Sequence, residues 1–321
     1  MSTAAIPGSS LPVRTPGSRA RGRHRRPERP EVPTGAPTLV LAVPGEATPE
    51  AVAVVDELLS VVRGEHLGIE VTAGWLTPTG PAPTDGEQSD AEAGRPSVAE
   101  LLQAAAEAGL PAPLLMPLLA GPHSALTELQ HLAEQAGSPL TEVLGPHPLL
   151  AEAVHVRLSE AGLARADRAR LFAITTAADG VVLTTVGGPE AVAAAEITGV
   201  LLAARLAVPV VAAALDVPGA VAAAVDHLRN TGSQRPALAP LVIGPEADPE
   251  LLRAAAEETG CPSAEPLGAY PTVGQLVATS YLATVGVTPP EAPARSKRAE
   301  ADGETAEAAE TPEAPEAEQG E

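Results

Sequence analysis

The chain has 321 residues, 45% of them hydrophobic, yet Trp75, Phe172, Tyr270 and Tyr281 are its only aromatic side chains. With 20 Lys and Arg against 41 Asp and Glu its formal net charge is -21; this charge repels phosphate backbones and so few rings build no stacking platform for bases, which excludes nucleic acid as a partner. Cys261 is the single cysteine, which excludes an internal disulfide and a cysteine-cluster metal site and fits a reducing cytosol.

Residues 1–37 hold seven arginines among prolines and glycines and no apolar stretch of the signal-peptide kind, so they read as a disordered tail. Thr38 to Val43 begins a buried parallel strand that breaks at Pro44-Gly45, and Thr48-Pro49-Glu50 opens a helix as an N-cap followed by proline does. A strand over Ile69 to Leu76 follows, then the segment Thr77 to Arg95, read as a surface loop with a ligand-covering lid as the alternative. Ser97 with Glu100 forms a capping box that starts the next helix, running to about Ala108. The pattern then predicts a strand over Pro113 to Leu119, a helix from Ser124 to Ala136, a short strand near Leu140 to Leu144 and a helix from Pro148 to Ala161.

The chain then repeats itself. Pro117 to Val154 lies without gaps on Pro240 to Val277, offset by 123 residues, and 14 of the 38 positions are identical. "PEAVA" at 49–53 returns at 189–193, each time after an aliphatic strand. The second copy predicts strands near 181, 208, 238 and 264, with its second helix opening at Asp216-Val217-Pro218. Strands alternating with helices give an α/β protein of two tandem parallel-sheet lobes, residues 38–163 and 164–288, with a cleft between them. Residues 289–321 carry ten acidic side chains and read as a second disordered tail. The hydropathic run at 199–215 contains Arg205 and Pro209 and splits into a helix end and a strand, so no membrane span is expected and the chain is placed in the cytoplasm.

The duplicated layout, the strand-loop "LLAGPHS" at 118–124 and "LGPHPLLAEAV" with its echo "LGAYPTVGQLV" resemble the sirohydrochlorin chelatases, relatives of the cobalt chelatases, over about residues 38–286. The resemblance implies two similar α/β lobes and insertion of a divalent metal (Co²⁺, Fe²⁺ or Ni²⁺) as substrate into a tetrapyrrole such as sirohydrochlorin, a lyase activity. It implies a first-loop histidine where this chain has Pro44, a second histidine at His123, and an acidic residue near Thr77. His123 is thus the expected metal ligand and catalytic group, with Glu46 and Glu246, the repeat counterpart of His123, as helpers. Gly45, Gly121 and Arg95 are the positions expected against the tetrapyrrole, and Arg165, Arg168 and Arg170 are further candidates to clamp its carboxylates. Metal insertion needs a Lewis base for a partly dehydrated cation and an acceptor for two pyrrole protons, and proline is neither. Two alternatives stand beside the enzyme: a catalytically inactive relative that binds tetrapyrrole or metal, and a regulatory protein that binds a protein partner.

Overall fold

A computed structural model of the chain describes residues 32–77, 95–164 and 177–286. Residues 30–289 form one compact unit, and no helix among the described residues is long and apolar enough to cross a membrane. The first lobe runs β1 (Leu39–Val43), α1 (Pro49–Glu65), β2 (Val71–Trp75), α2 (Val98–Glu107), β3 (Leu114–Pro117), α3 (Ala125–Ala136) and α4 (Pro148–Glu160). The second runs β4 (Gly180–Thr185), α5 (Gly188–Leu206), β5 (Val210–Ala214), α6 (Ala220–Asn230), β6 (Pro236–Pro240), α7 (Pro249–Thr259) and α8 (Pro271–Thr284). Two parallel three-stranded sheets result, ordered β2-β1-β3 and β5-β4-β6.

The central strands β1 and β4 are buried along their whole length, as apolar runs covered on both faces must be. Alternation sends Leu39, Leu41 and Val43 with Val181 and Leu183 into one large core shared by both lobes. Val40 and Ala42 point the other way, onto Leu102 and Leu129, and Val182 points onto Val225 and Leu228. Each sheet therefore lies between an outer helix pair and an inner one. The inner helices interlock across the lobes: α1 packs on α8, α5 on α4, and α4 on α8. The repeat makes Gly274 of α8 and Ala151 of α4 equivalent, and both are buried small residues that let a neighbouring helix come close; a Cβ on Gly274 would overlap the Val61 side chain. Arg157 ties the lobes at the rim, donating from Nη2 to the Leu267 carbonyl at 2.9 Å and lying 5.0 Å over the Tyr270 ring.

Three expectations change. The strands expected near Leu140 and 264 shrink to single bridges, Leu115 to Leu140 and Leu238 to Ser263. The reason is in the partner strand: Leu115 and Leu238 make the first bonds, with Pro139 and Pro262, but the next donors would be Pro117 and Pro240, which have no N–H. The second helix of the second lobe starts at Ala220, not at Asp216-Val217-Pro218. Residues 32–37, expected in the tail, join the fold: Val32 packs against Gly68 and the Tyr281 hydroxyl donates to the Pro37 carbonyl at 2.8 Å. The rest of both tails, the segment at 78–94 and Arg165, Arg168 and Arg170 lie outside the described residues.

The α1–α8 contact yields a test. Gly274→Leu forces a branched side chain into Val61, and the expected loss is about 2–4 kcal/mol of unfolding free energy in urea melts. A loss below about 0.5 kcal/mol would mean the helices do not meet there.

Candidate functional site

The site is built from loops at the carboxyl ends of the strands, where ligands sit in open parallel sheets. Strand register fixes which loop residues correspond between lobes. Ala42 pairs with Pro117 as Thr184 pairs with Pro240, so Pro44 matches Val186 and Gly45 matches Gly187. Val43 pairs with Trp75 as Thr185 pairs with Ala214, so Thr77 matches Asp216. The gapless repeat matches Pro122 with Pro245 and His123 with Glu246.

Each first-strand loop reaches across to the third-strand loop of the other lobe. Gly45 and Gly187 both hold positive φ, 83° and 111°, and a Cβ on either would overlap a carbonyl oxygen, that of Pro245 for Gly45 and that of Pro122 for Gly187. Only glycine suits a position that combines this backbone with so close an approach. The four loops thus form two symmetry-related contacts with different side chains at each.

At the Pro122–Gly187 contact, His123 is half-buried and its Nδ1 accepts from the Ala125 N–H at 3.2 Å, capping α3 in place of Ser124, which makes no side-chain cap bond. An acceptor Nδ1 puts the proton of the neutral ring on Nε2. Burial lowers the His123 pKa, and the facing charge of Asp216 opposes that shift. Asp216 comes from the end of β5 and accepts from the Gly187 and Gly188 N–H groups at 2.9 and 3.3 Å. A carboxylate has about four lone-pair positions, so two remain after these bonds. The pair consists of a neutral imidazole and a carboxylate presented by different lobes.

At the Pro245–Gly45 contact, Glu246 turns back onto its own loop, accepting from the Ile243 N–H and, at 2.8 Å, from the Gly244 N–H. It is 9% exposed, and burial pushes its pKa up to about 7 against the pull of those bonds. Glu46 is exposed beside Gly45. The expected trio is therefore divided: Glu46 and Glu246 belong to one contact and His123 to the other. Among the described residues no three His, Cys, Asp or Glu side chains stand together as a metal site.

The remaining candidates have other neighbours. Pro44 is buried directly after β1, as is Val186 in the second lobe. Gly121 lies half-buried two residues before His123. Arg95 is paired to Asp56 of α1 at 2.7 Å with both side chains about half-exposed, a surface pair of the kind worth no more than about 1 kcal/mol. His147 uses Nδ1 to cap α4 at the Leu149 N–H, 3.1 Å away. Asp216 is the functional candidate that sequence reasoning missed: read as a helix start, it occupies the end-of-second-strand position where the first lobe has Thr77. Carrying the repeat through the second strand would have revealed it.

No family model and no curated protein matches the chain. Among solved structures, SirB from Bacillus subtilis with Fe³⁺ superposes with a TM-score of 0.54 and 14% identity, over 78% of this chain and 96% of SirB. CbiX, described as the terminal enzyme for biosynthesis of siroheme in denitrifying bacteria, gives 0.49 and 16% identity over 77% and 98%. The chain therefore shares the α/β fold of SirB.

The buried Glu246 makes stability depend on pH. Its folded pKa, about 7, is raised above its ordinary value of 4.5, so its contribution is complete below pH 4.5 and is lost as pH rises to about 7. Against Glu246→Gln, the native chain is expected to lose roughly 2–3 kcal/mol across that window in urea melts. A stability difference constant with pH would refute the buried-acid reading.

Proposed function

We propose that the chain is a cytoplasmic, chelatase-like protein that brings a divalent metal substrate, Co²⁺, Fe²⁺ or Ni²⁺, to a sirohydrochlorin-type tetrapyrrole at the strand-end loops. The observation that supports it is the meeting of the loops that carry His123 and Asp216, where Gly187, bonded to Asp216, lies against the carbonyl of Pro122, within a fold shared with a protein described with Fe³⁺. In this reading Asp216 supplies charge and oxygen ligation, and His123, kept neutral by burial, supplies nitrogen. Ligation through Nε2 requires moving the ring proton to Nδ1, which gives up the Ala125 bond at a cost of about 1 kcal/mol. The freed imidazole would then hold the cation, and pyrrole protons would leave to carboxylate or water.

The second reading is binding without insertion. It is favoured by the same Nδ1 bond and by Pro44 at the position where the resemblance implies a first histidine. Gly45, Gly121 and Arg95 remain, in either reading, candidates to contact the tetrapyrrole, and Glu46 and Glu246 remain candidates to assist the chemistry.

An anaerobic absorbance assay with sirohydrochlorin and each metal separates these readings. The expected result is metallation above the uncatalysed rate, reduced roughly 100-fold by His123→Ala and about 10-fold or more by Asp216→Asn. A bound spectrum that never metallates would support the binder, and insertion unaffected by both substitutions would remove this pair from the chemistry.

A further inference from the structure

The two lobes treat equivalent backbone amides differently. In the second lobe, the N–H groups of Gly187 and Gly188 are held by the Asp216 carboxylate, and those of Ile243 and Gly244 by the Glu246 carboxylate. In the first lobe the equivalent donors are Gly45 and Glu46, and Ala120 and Gly121. None of these four has an acceptor among the described residues. The cause lies in two replacements: Thr77 stands where Asp216 would be, and His123, turned forward onto Ala125, stands where Glu246 would be. The Gly45 loop keeps the positive φ of the Gly187 loop, and it sits beside its partner Pro245 as Gly187 sits beside Pro122.

The second lobe shows what such amide pairs take, namely a carboxylate on each. Resting on the tetrapyrrole reading above, we propose that the first-lobe amide pairs, Gly45 with Glu46 and Ala120 with Gly121, are seats for peripheral carboxylates of the bound molecule, and that Asp216 and Glu246 close the corresponding second-lobe seats from within. A bound oligocarboxylate macrocycle is thereby held by two of its peripheral carboxylates on the first lobe. The acidity of the chain supports this choice of donor: residues 38–288 hold 29 acidic against 10 basic side chains, so the field at long range repels a polyanion. Paired backbone N–H groups attract an anion at contact without needing a cationic side chain.

The test fills one seat from within. Thr77→Asp places a carboxylate at the position from which Asp216 reaches its amides, on an exposed residue, and Thr77→Val is the control without a charge. Metal-free uroporphyrin I, an octacarboxylate, is titrated by fluorescence into the full chain and both variants, and amide shifts are followed by NMR in the unsubstituted chain. The expected result is at least tenfold weaker binding for Thr77→Asp and affinity within twofold for Thr77→Val. The shifts should fall at Gly45, Glu46, Ala120 and Gly121 more than at Gly187, Gly188, Ile243 and Gly244. Binding that Thr77→Asp leaves unchanged, or shifts confined to the second lobe, overturns the seats while leaving the tetrapyrrole reading standing. No binding by the unsubstituted chain overturns both.

Discussion

A Cβ on Gly45 or Gly187 would enter the carbonyl oxygen of Pro245 or Pro122, so the strand-end loops of the two lobes can meet only because both positions lack a side chain and accept positive φ. Everything at the site follows from that reciprocal contact. It brings the loop of His123 in one lobe against the Gly187 loop that Asp216 holds in the other, although neither belongs to a motif with the other in sequence. The inner helices hold the contact in place, because α1 on α8 and α5 on α4 bury one continuous core under both sheets. A lobe that lost its partner would expose Leu39, Leu41 and Val43 on one side or Val181 and Leu183 on the other, too much apolar surface for a free face.

On this symmetrical frame the polar groups are unsymmetrical. The second lobe satisfies its own loop amides with Asp216 and Glu246, whereas the first lobe spends His123 on a helix cap. Among the described residues, one lobe thus bonds these loop amides internally and the other leaves the equivalent donors without an acceptor. On matching strand-end backbones, a few side-chain changes present different groups from each lobe at the shared surface. The first-strand loops diverge as well: five residues separate Val43 from Pro49, but three separate Thr185 from Pro189.

Much of this was legible in the sequence, and the physical reason is periodicity. Buried aliphatic runs placed β1, β3 and β4, the Ser97–Glu100 capping box was found as read, and the repeat fixed the two-lobed plan. The short strands near Leu140 and Ser263 were overread because a local apolar pattern does not reveal the neighbour that must donate to it, here Pro117 and Pro240. The His123 ring was visible as a histidine but not as a cap, since Ser124 is the better capping residue by type. Asp216 was hidden because an Asp before proline reads as a helix start, while its carboxylate in fact serves amides in another loop. Pairings between distant loops carry no local pattern, so only the repeat could have signalled them.

The two proposed substrates would also meet opposite fields. A divalent cation is drawn toward an acidic fold from a distance, so weak ligation by one imidazole and one carboxylate gains from concentration near the surface. An oligocarboxylate macrocycle is pushed away at the same range and must be held by short contacts alone. The buried Glu246 matters to that balance, since a carboxyl kept largely protonated below pH 7 adds no charge to the repulsion while still receiving the Ile243 and Gly244 amides. Placing neutral donors and a protonated acid where the macrocycle would lie, and the Asp216 side chain where the cation would lie, would allow one acidic surface to accept ligands of both signs.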